Sequence, residues 1–136
     1  MSTRNTKSIG LALAIPAQNH TAATTITGDA VDLFSSEFYG GYPARWATLL
    51  CTGTVTAGYA TIRLEHSDDG GTWETAKDQH GNDSSLELNS TLAIKATHAH
   101  NLKRYIRLVA VVTEGAEATD VTFSATVSLD MGVLSL

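Results

Sequence analysis

The sequence predicts an all-β chain: a single-domain β-sandwich of jelly-roll-like kind, or a small barrel, with an extended N-terminal arm. Three observations carry that expectation. From Val121 to Met131 every second residue is apolar, and the residues between them, Thr122, Ser124, Thr126, Ser128 and Asp130, are polar. Tyr59–Ser67 alternates in the same way and runs straight into Asp68-Asp69-Gly70-Gly71, where glycine supplies positive φ and aspartate accepts local backbone hydrogen bonds. No segment shows helical spacing with caps; a helix at the C-terminal segment would set Ser124 and Ser128 on the same stripe as Val121.

Taken in chain order, residues 1–22 lack clean alternation and surround one apolar patch, Ile9–Ile15. The patch is either an extended arm that lies against a neighbour or the first strand of the sandwich. Its alternate residues Ile9, Leu11, Leu13 and Ile15 are candidate interface residues on the arm reading. Residues 23–136 form the sandwich proper. Ala22–Leu33 is a weak strand, and Arg45–Val55 a stronger one, rich in aromatic and branched residues and closed by Gly53. Residues 59–75 read as a β-hairpin with a short return strand around Thr72–Thr75, Ala60, Ile62, Leu64 and His66 facing one way and Thr61, Arg63 and Glu65 the other. Asp78–Ser85 is a polar loop and Leu86–Ala96 a weak strand. Arg104–Val112 is apolar on both faces, so it is central in a covered sheet or lies at an interface. Its Arg104, Tyr105 and Arg107 are the remaining interface candidates.

A chain of 136 residues suits one domain, and it can bury a real core without metals or disulfides. Only 17% of its residues are charged, so threonine, serine and alanine fill much of the surface. The net charge of −5 argues against a direct nucleic-acid partner. No apolar run is long enough for a membrane span. Arg4 and Lys7 before Ile9–Ile15 imitate a signal peptide, but Pro16, Gln18, Asn19 and His20 follow with no small-residue cleavage site. Charge is segregated: residues 61–90 hold two basic and seven acidic side chains, 91–110 four basic and no acidic, 111–136 four acidic and no basic. The basic stretch can pair within the fold or across a subunit contact.

Chemistry-bearing patterns are sparse. Cys51, the single cysteine, sits in an apolar stretch and reads as a buried thiol. His98 and His100 can present two imidazoles side by side, yet no further ligand stands at fixed spacing, and the segment reads as a loop. Asp68, Asp69, Asp78 and Asp83 lack the spacing of a calcium loop and read as turn acids. No nucleophile elbow, carboxylate pair of defined spacing or phosphate loop is present. No catalytic residue, metal or cofactor is therefore expected. Trp46, Trp73, Tyr39, Tyr42, Tyr59 and Tyr105 include candidates for a sugar-stacking platform, against core and rim packing as the alternative.

Two segments resemble pieces of small structural proteins of tailed bacteriophages: Ile62–Trp73, with its Ser-Asp-Asp-Gly turn, and Lys103–Val112. Their order along the chain, between Gly41-Tyr42 and the terminal alternating strand, is similar too, as is Ala30–Leu33 upstream. The resemblance covers about residues 30–131 and points to capsid decoration, or cement, proteins of the phage head. Where that pattern leads one to expect Tyr-x-Gly, this chain has His98-Ala99-His100-Asn101. The resemblance implies a non-enzymatic virion protein on the head surface, assembled in the host cytoplasm. Its partner would be the major capsid protein or another virion protein. It also implies a homo-oligomer, most readily a trimer. A neck or tail accessory protein and a carbohydrate-binding β-sandwich are the alternatives.

Overall fold

The computed structural model describes residues 9–33 and 46–130, the side chains of 9–12 and 130 excepted. Ten strands and no helix make up this part of the chain: β1 (Ile9–His20), β2 (Thr24–Thr27), β3 (Val31–Asp32), β4 (Trp46–Ala57), β5 (Tyr59–Ser67), β6 (Glu74–Thr75), β7 (Ser85–Leu88), β8 (Ala93–His100), β9 (Tyr105–Thr113) and β10 (Asp120–Asp130). They form two antiparallel sheets. One has the order β1-β10-β4-β8; in the other, β9 and β5 are the central pair, flanked by β2 and β3 on one side and β6 and β7 on the other.

If β2–β3 and β6–β7 each count as one interrupted strand, the first strand pairs with the last, the second with the penultimate, the third with the sixth and the fourth with the fifth. That is one long antiparallel hairpin rolled into a sandwich, the jelly roll, and the sheets do not close into a barrel.

Alternation explains the core. On β10, Val121, Phe123, Ala125, Val127 and Leu129 are buried. In register with them on β4 stand Val55, Gly53, Cys51, Leu49 and Ala47. The facing sheet contributes Ala60, Ile62 and Leu64 of β5 and Ile106, Leu108, Ala110 and Val112 of β9. Phe123 is fully enclosed, and truncation of such a side chain costs about 3–5 kcal/mol. Gly58, at φ +80° between β4 and β5, makes the tight passage from one sheet to the other; a Cβ there would stand 2.6 Å from the carbonyl oxygen of Thr113.

The structure refines several sequence expectations. Residues 9–20 are the edge strand β1, paired with β10 along most of its length. Leu86–Ala96 is two strands, β7 and β8, in different sheets, and β8 runs on to His100, so His98 and His100 stand on a strand and not in a loop. β9 is central, with β5 on one side and β2 and β3 on the other. Its second apolar face holds Val109, which is 2% exposed within this chain alone. In the hairpin, Gly70 has φ +77° while Gly71 has no positive φ, and strand pairing resumes only at Glu74, so the connection is a seven-residue loop from Ser67 to Trp73. Asn101 takes φ 54° ahead of β9, a conformation that asparagine tolerates well among non-glycine residues.

Candidate interaction surfaces

The chain presents three surfaces of different character: the polar hairpin, the outer face of the sheet containing β5 and β9, and the outer face of the sheet containing β1.

The hairpin is held by its own side chains. The Ser67 hydroxyl accepts the backbone N–H groups of Asp69 and Gly70 at 3.2 and 2.9 Å and donates to the Asp69 carboxylate at 2.9 Å. The same carboxylate oxygen accepts the N–H groups of Gly71 and Thr72, each at 2.8 Å. These bonds, from Thr72 and Gly71 first and then the Ser67 hydroxyl, hold the Asp69 carboxyl down at about 2. Behind the loop His66 is buried on the inner face of β5. The backbone N–H of Lys103 reaches its Nδ1 at 3.3 Å, so Nδ1 is an acceptor and the ring proton sits on Nε2, facing the Glu74 carboxylate at 3.2 Å. Burial holds this imidazole below the ordinary histidine range, against the opposing pull of Glu74. Lys103 Nζ then binds Glu74 at 2.7 Å and Asp68 at 3.5 Å. A shallow cleft of about 220 Å³ lies between Asp68, Asp69, Thr72, Trp73, Glu74 and Lys103. Each of its ionic groups is occupied by a neighbour in the same cleft or loop.

On the outer face of the second sheet, Glu65 lies between two arginines. It accepts Arg63 Nε at 2.7 Å and Arg107 Nε at 2.8 Å. Burial raises its carboxyl, but the bonds from Arg63 and Arg107 outweigh that, and the net displacement is downward. The Trp73 ring covers the Arg107 guanidinium at 4.2 Å. Arg104 reaches Asp32 through two bonds of 2.9 Å. Of the basic segment 91–110, Lys103, Arg104 and Arg107 thus meet acids of their own chain, while Lys95 binds the backbone carbonyl of Glu87 at 2.7 Å.

The third surface differs in kind. Across the outer face of β1-β10-β4-β8, β10 presents Thr122, Ser124, Thr126 and Ser128, and β4 presents Trp46, Thr48, Leu50, Thr52 and Thr54. β8 adds Ile94, Ala96, His98 and His100, and β1 adds Ala14 and Asn19. Among the described side chains the middle of this face carries no lysine, arginine, aspartate or glutamate, and at the end opposite Asp120 the register sets Asp130 beside Trp46. Asp120 marks one end, held by Asn19 Nδ2 at 2.8 Å and the Thr56 hydroxyl at 2.9 Å. Trp46 is 48% exposed, Leu50 41% and Ile94 73%. Side chains are tied across strands: the Thr52 hydroxyl to the Ser124 hydroxyl at 3.0 Å, and the Thr48 hydroxyl to His98 Nδ1 at 3.2 Å. Trp46 lies against His100, ring centroids 5.0 Å apart.

The residues singled out from sequence fall as follows. Ile15 is in the core at 4% exposure, and Leu13 packs against it. The side chains of Ile9 and Leu11 lie outside the described set; their backbones pair with Asp130 and Ser128. Arg104, Tyr105 and Arg107 sit on β9 or just before it, the arginines satisfied internally, with the Arg104 guanidinium 5.0 Å from the Tyr105 ring. Cys51 is fully buried and its thiol is pushed up to about 12 by desolvation, which leaves it inert. Asp69 and Asp78 cap turns, and Asp83 pairs with Lys77. Tyr39 and Tyr42 lie outside the described residues. Among the described residues no three His, Cys, Asp or Glu side chains converge on a metal position. The hydroxyl-rich outer face escaped sequence reading, although its alternating hydroxyls on β10 were visible there.

Fold and surfaces together define a jelly-roll module in which the hairpin and the β5–β9 face pair their ionic groups with one another, while the described side chains in the middle of the β1-β10-β4-β8 face carry no lysine, arginine, aspartate or glutamate. No family model and no curated protein matches the chain. Among solved structures it is similar to the PBSX exported protein XepA, with 14% identity and a TM-score of 0.67, covering 99% of this chain and 41% of XepA. The chain thus spans about two fifths of that protein's length. It is also similar to a CBM4 structure, with 14% identity and a TM-score of 0.50 over 78% of this chain and 61% of the other. The SPBc2 prophage-derived protein YomS is matched at 17% identity and a TM-score of 0.38, over 86% of this chain and 96% of YomS. At these identities the likeness is one of fold.

Proposed function

We propose that this chain is a non-catalytic structural protein of a phage particle, one that decorates and stabilises the head by binding the major capsid protein. The observation that carries this is the broad outer face of β1-β10-β4-β8, whose described side chains between Asp120 and Asp130 are hydroxyls, apolar groups, an asparagine and imidazoles with no lysine, arginine or glutamate among them. The cores of protein–protein interfaces are depleted of Lys, Glu and Asp, whereas a sheet face that stays in water ordinarily carries them. The phage-derived neighbours in fold agree with the reading, and so does the sequence resemblance to decoration proteins. A neck or tail accessory role uses the same surface and differs in copy number.

The test is co-sedimentation of the purified chain with phage heads that lack it. Saturable binding, with heads made more resistant to heat, is expected. A chain that stays in the supernatant at micromolar concentration excludes head decoration.

One observation favours a second reading, a carbohydrate-binding module: Trp46 stands half exposed on a flat face among hydroxyls, and the fold is similar to the CBM4 structure. Glycan-array binding abolished by Trp46→Ala would carry that reading; an array without signal removes it.

A further inference from the structure

We propose that Arg63 and Arg107, on the outer face of the sheet containing β5 and β9, form a carboxylate-binding site that takes an aspartate or glutamate from an acidic segment of a protein partner. This goes beyond the capsid contact assigned to the other sheet, because it uses a different face and a different chemistry.

The site follows from how one carboxylate is shared. Glu65 of β5 and Arg107 of β9 stand opposite each other in register, and Arg63 lies two residues back on the same face of β5. Arg107 directs Nε and one terminal nitrogen at a single Glu65 oxygen, each at 2.8 Å. Arg63 gives the other oxygen only its Nε, at 2.7 Å. Among the described residues no further group accepts from the terminal nitrogens of Arg63, so that side of its planar fork is open to another acceptor. One negative charge is thus set against two positive ones. The neighbouring acids do not neutralise the remainder. Asp32 is held by Arg104 at 2.9 Å. Glu87 of β7 has the Lys95 ammonium on its carbonyl at 2.7 Å and Asn89 Nδ2 on its carboxylate at 2.8 Å.

The two guanidinium groups are fixed and partly desolvated. The Trp73 ring covers Arg107 at 4.2 Å, and the side chains of Arg63 and Arg107 are 32% and 26% exposed. Val109 and Val111 stand beside Arg63 and Thr61 in register, and apolar neighbours strengthen an ion pair by lowering the local dielectric. Charge and shape then choose the occupant. A carboxylate neutralises the single positive charge left over, whereas a phosphate dianion overshoots it. A polyanion such as DNA meets the repulsion of a chain with net charge −5. A free small acid gains nothing beyond the ion pair, because the site lies on an open sheet face, apart from the hairpin cleft. An acidic segment of a protein lies along the sheet and adds contacts to that pair.

Nuclear magnetic resonance of the arginine Nε–H groups in the purified full chain tests the site without any particle. The probe is a capped peptide of alternating glutamate and serine. Saturable shifts of the Arg63 and Arg107 Nε–H signals are expected, and raising salt from about 20 to about 200 mM should weaken binding. Arg63→Gln should weaken it about tenfold. Arg63→Lys, which keeps the charge beside Glu65 and loses the fork, should weaken it about threefold with the thermal transition retained, and it decides the matter should Arg63→Gln misfold. Glu65→Gln removes the competing carboxylate and should tighten binding about threefold, a gain that an ion-pair network serving the fold alone would not give. No shift at about 10 mM peptide, binding indifferent to the Arg63 variants, or a folded Glu65→Gln chain that binds no more tightly overturns the proposal. Inorganic phosphate or a DNA oligonucleotide that shifts the same signals at lower concentration than the peptide overturns the assignment to a carboxylate. Failure of peptide binding leaves head binding through the other sheet standing, and failure of head binding leaves this site standing.

Discussion

At the scale of single residues, the chain settles its ionic groups locally. Asp69 occupies three donors in the Ser67–Trp73 loop, Glu65 is divided between two arginines, and His66 is kept neutral by burial, with a backbone N–H on one nitrogen and the opposing Glu74 carboxylate on the other. His66 supplies a pH prediction with a definite sign. Its folded-state pKa is lowered, chiefly by burial, so between the folded value and the ordinary value of about 6.5 the unfolded chain binds more protons. Stability is complete above that ordinary value and is lost as pH falls through the folded one. Protonation would also set a second N–H on Nδ1 against the N–H of Lys103. The melting temperature should therefore fall between pH 7 and pH 5, a window above the carboxylate range, and His66→Gln should flatten the fall. An equal slope in the variant would contradict the assigned environment.

At the scale of elements, β1 is the informative case. Its pairing with β10 buries Ile15 and places Leu13 against the core. Deleting residues 1–20 should remove a strand from the sheet and abolish or strongly lower the thermal unfolding transition of the isolated chain, as read by circular dichroism; an unchanged transition would make the segment an arm. The segment resisted reading from sequence for a physical reason. Register shifts between Leu11 and Leu13 and between Ile15 and Gln18 restart the alternation twice, and its partner lies at the other end of the chain. By contrast β10 and β5 were legible in full, because each buries one face without interruption. β7 and β8 read as one strand because the break at Asn89–Leu92 carries no glycine or proline. Leu92 makes that turn at φ 139° and 80% exposure, a conformation that sequence does not advertise in leucine. The hydroxyl-rich outer face was legible only in its β10 row. What joins Thr126 to Leu50 and Ala96 is strand order, a long-range property of the roll.

At the scale of the whole molecule, the chain is a jelly roll with an enclosed core and one sheet whose described outer side chains are mainly hydroxyls and apolar groups. Cys51 is inert, and the acids seen in the hairpin, Asp68, Asp69 and Glu74, are engaged in holding it. The central claim is a structural place on a phage particle, and a quantitative mass-spectrometric inventory of purified particles tests it most directly. The account predicts the chain at a fixed, high ratio to the major capsid protein, retained through density-gradient purification. A few copies per particle would move it to the neck or tail, and its complete absence from purified particles would contradict the account.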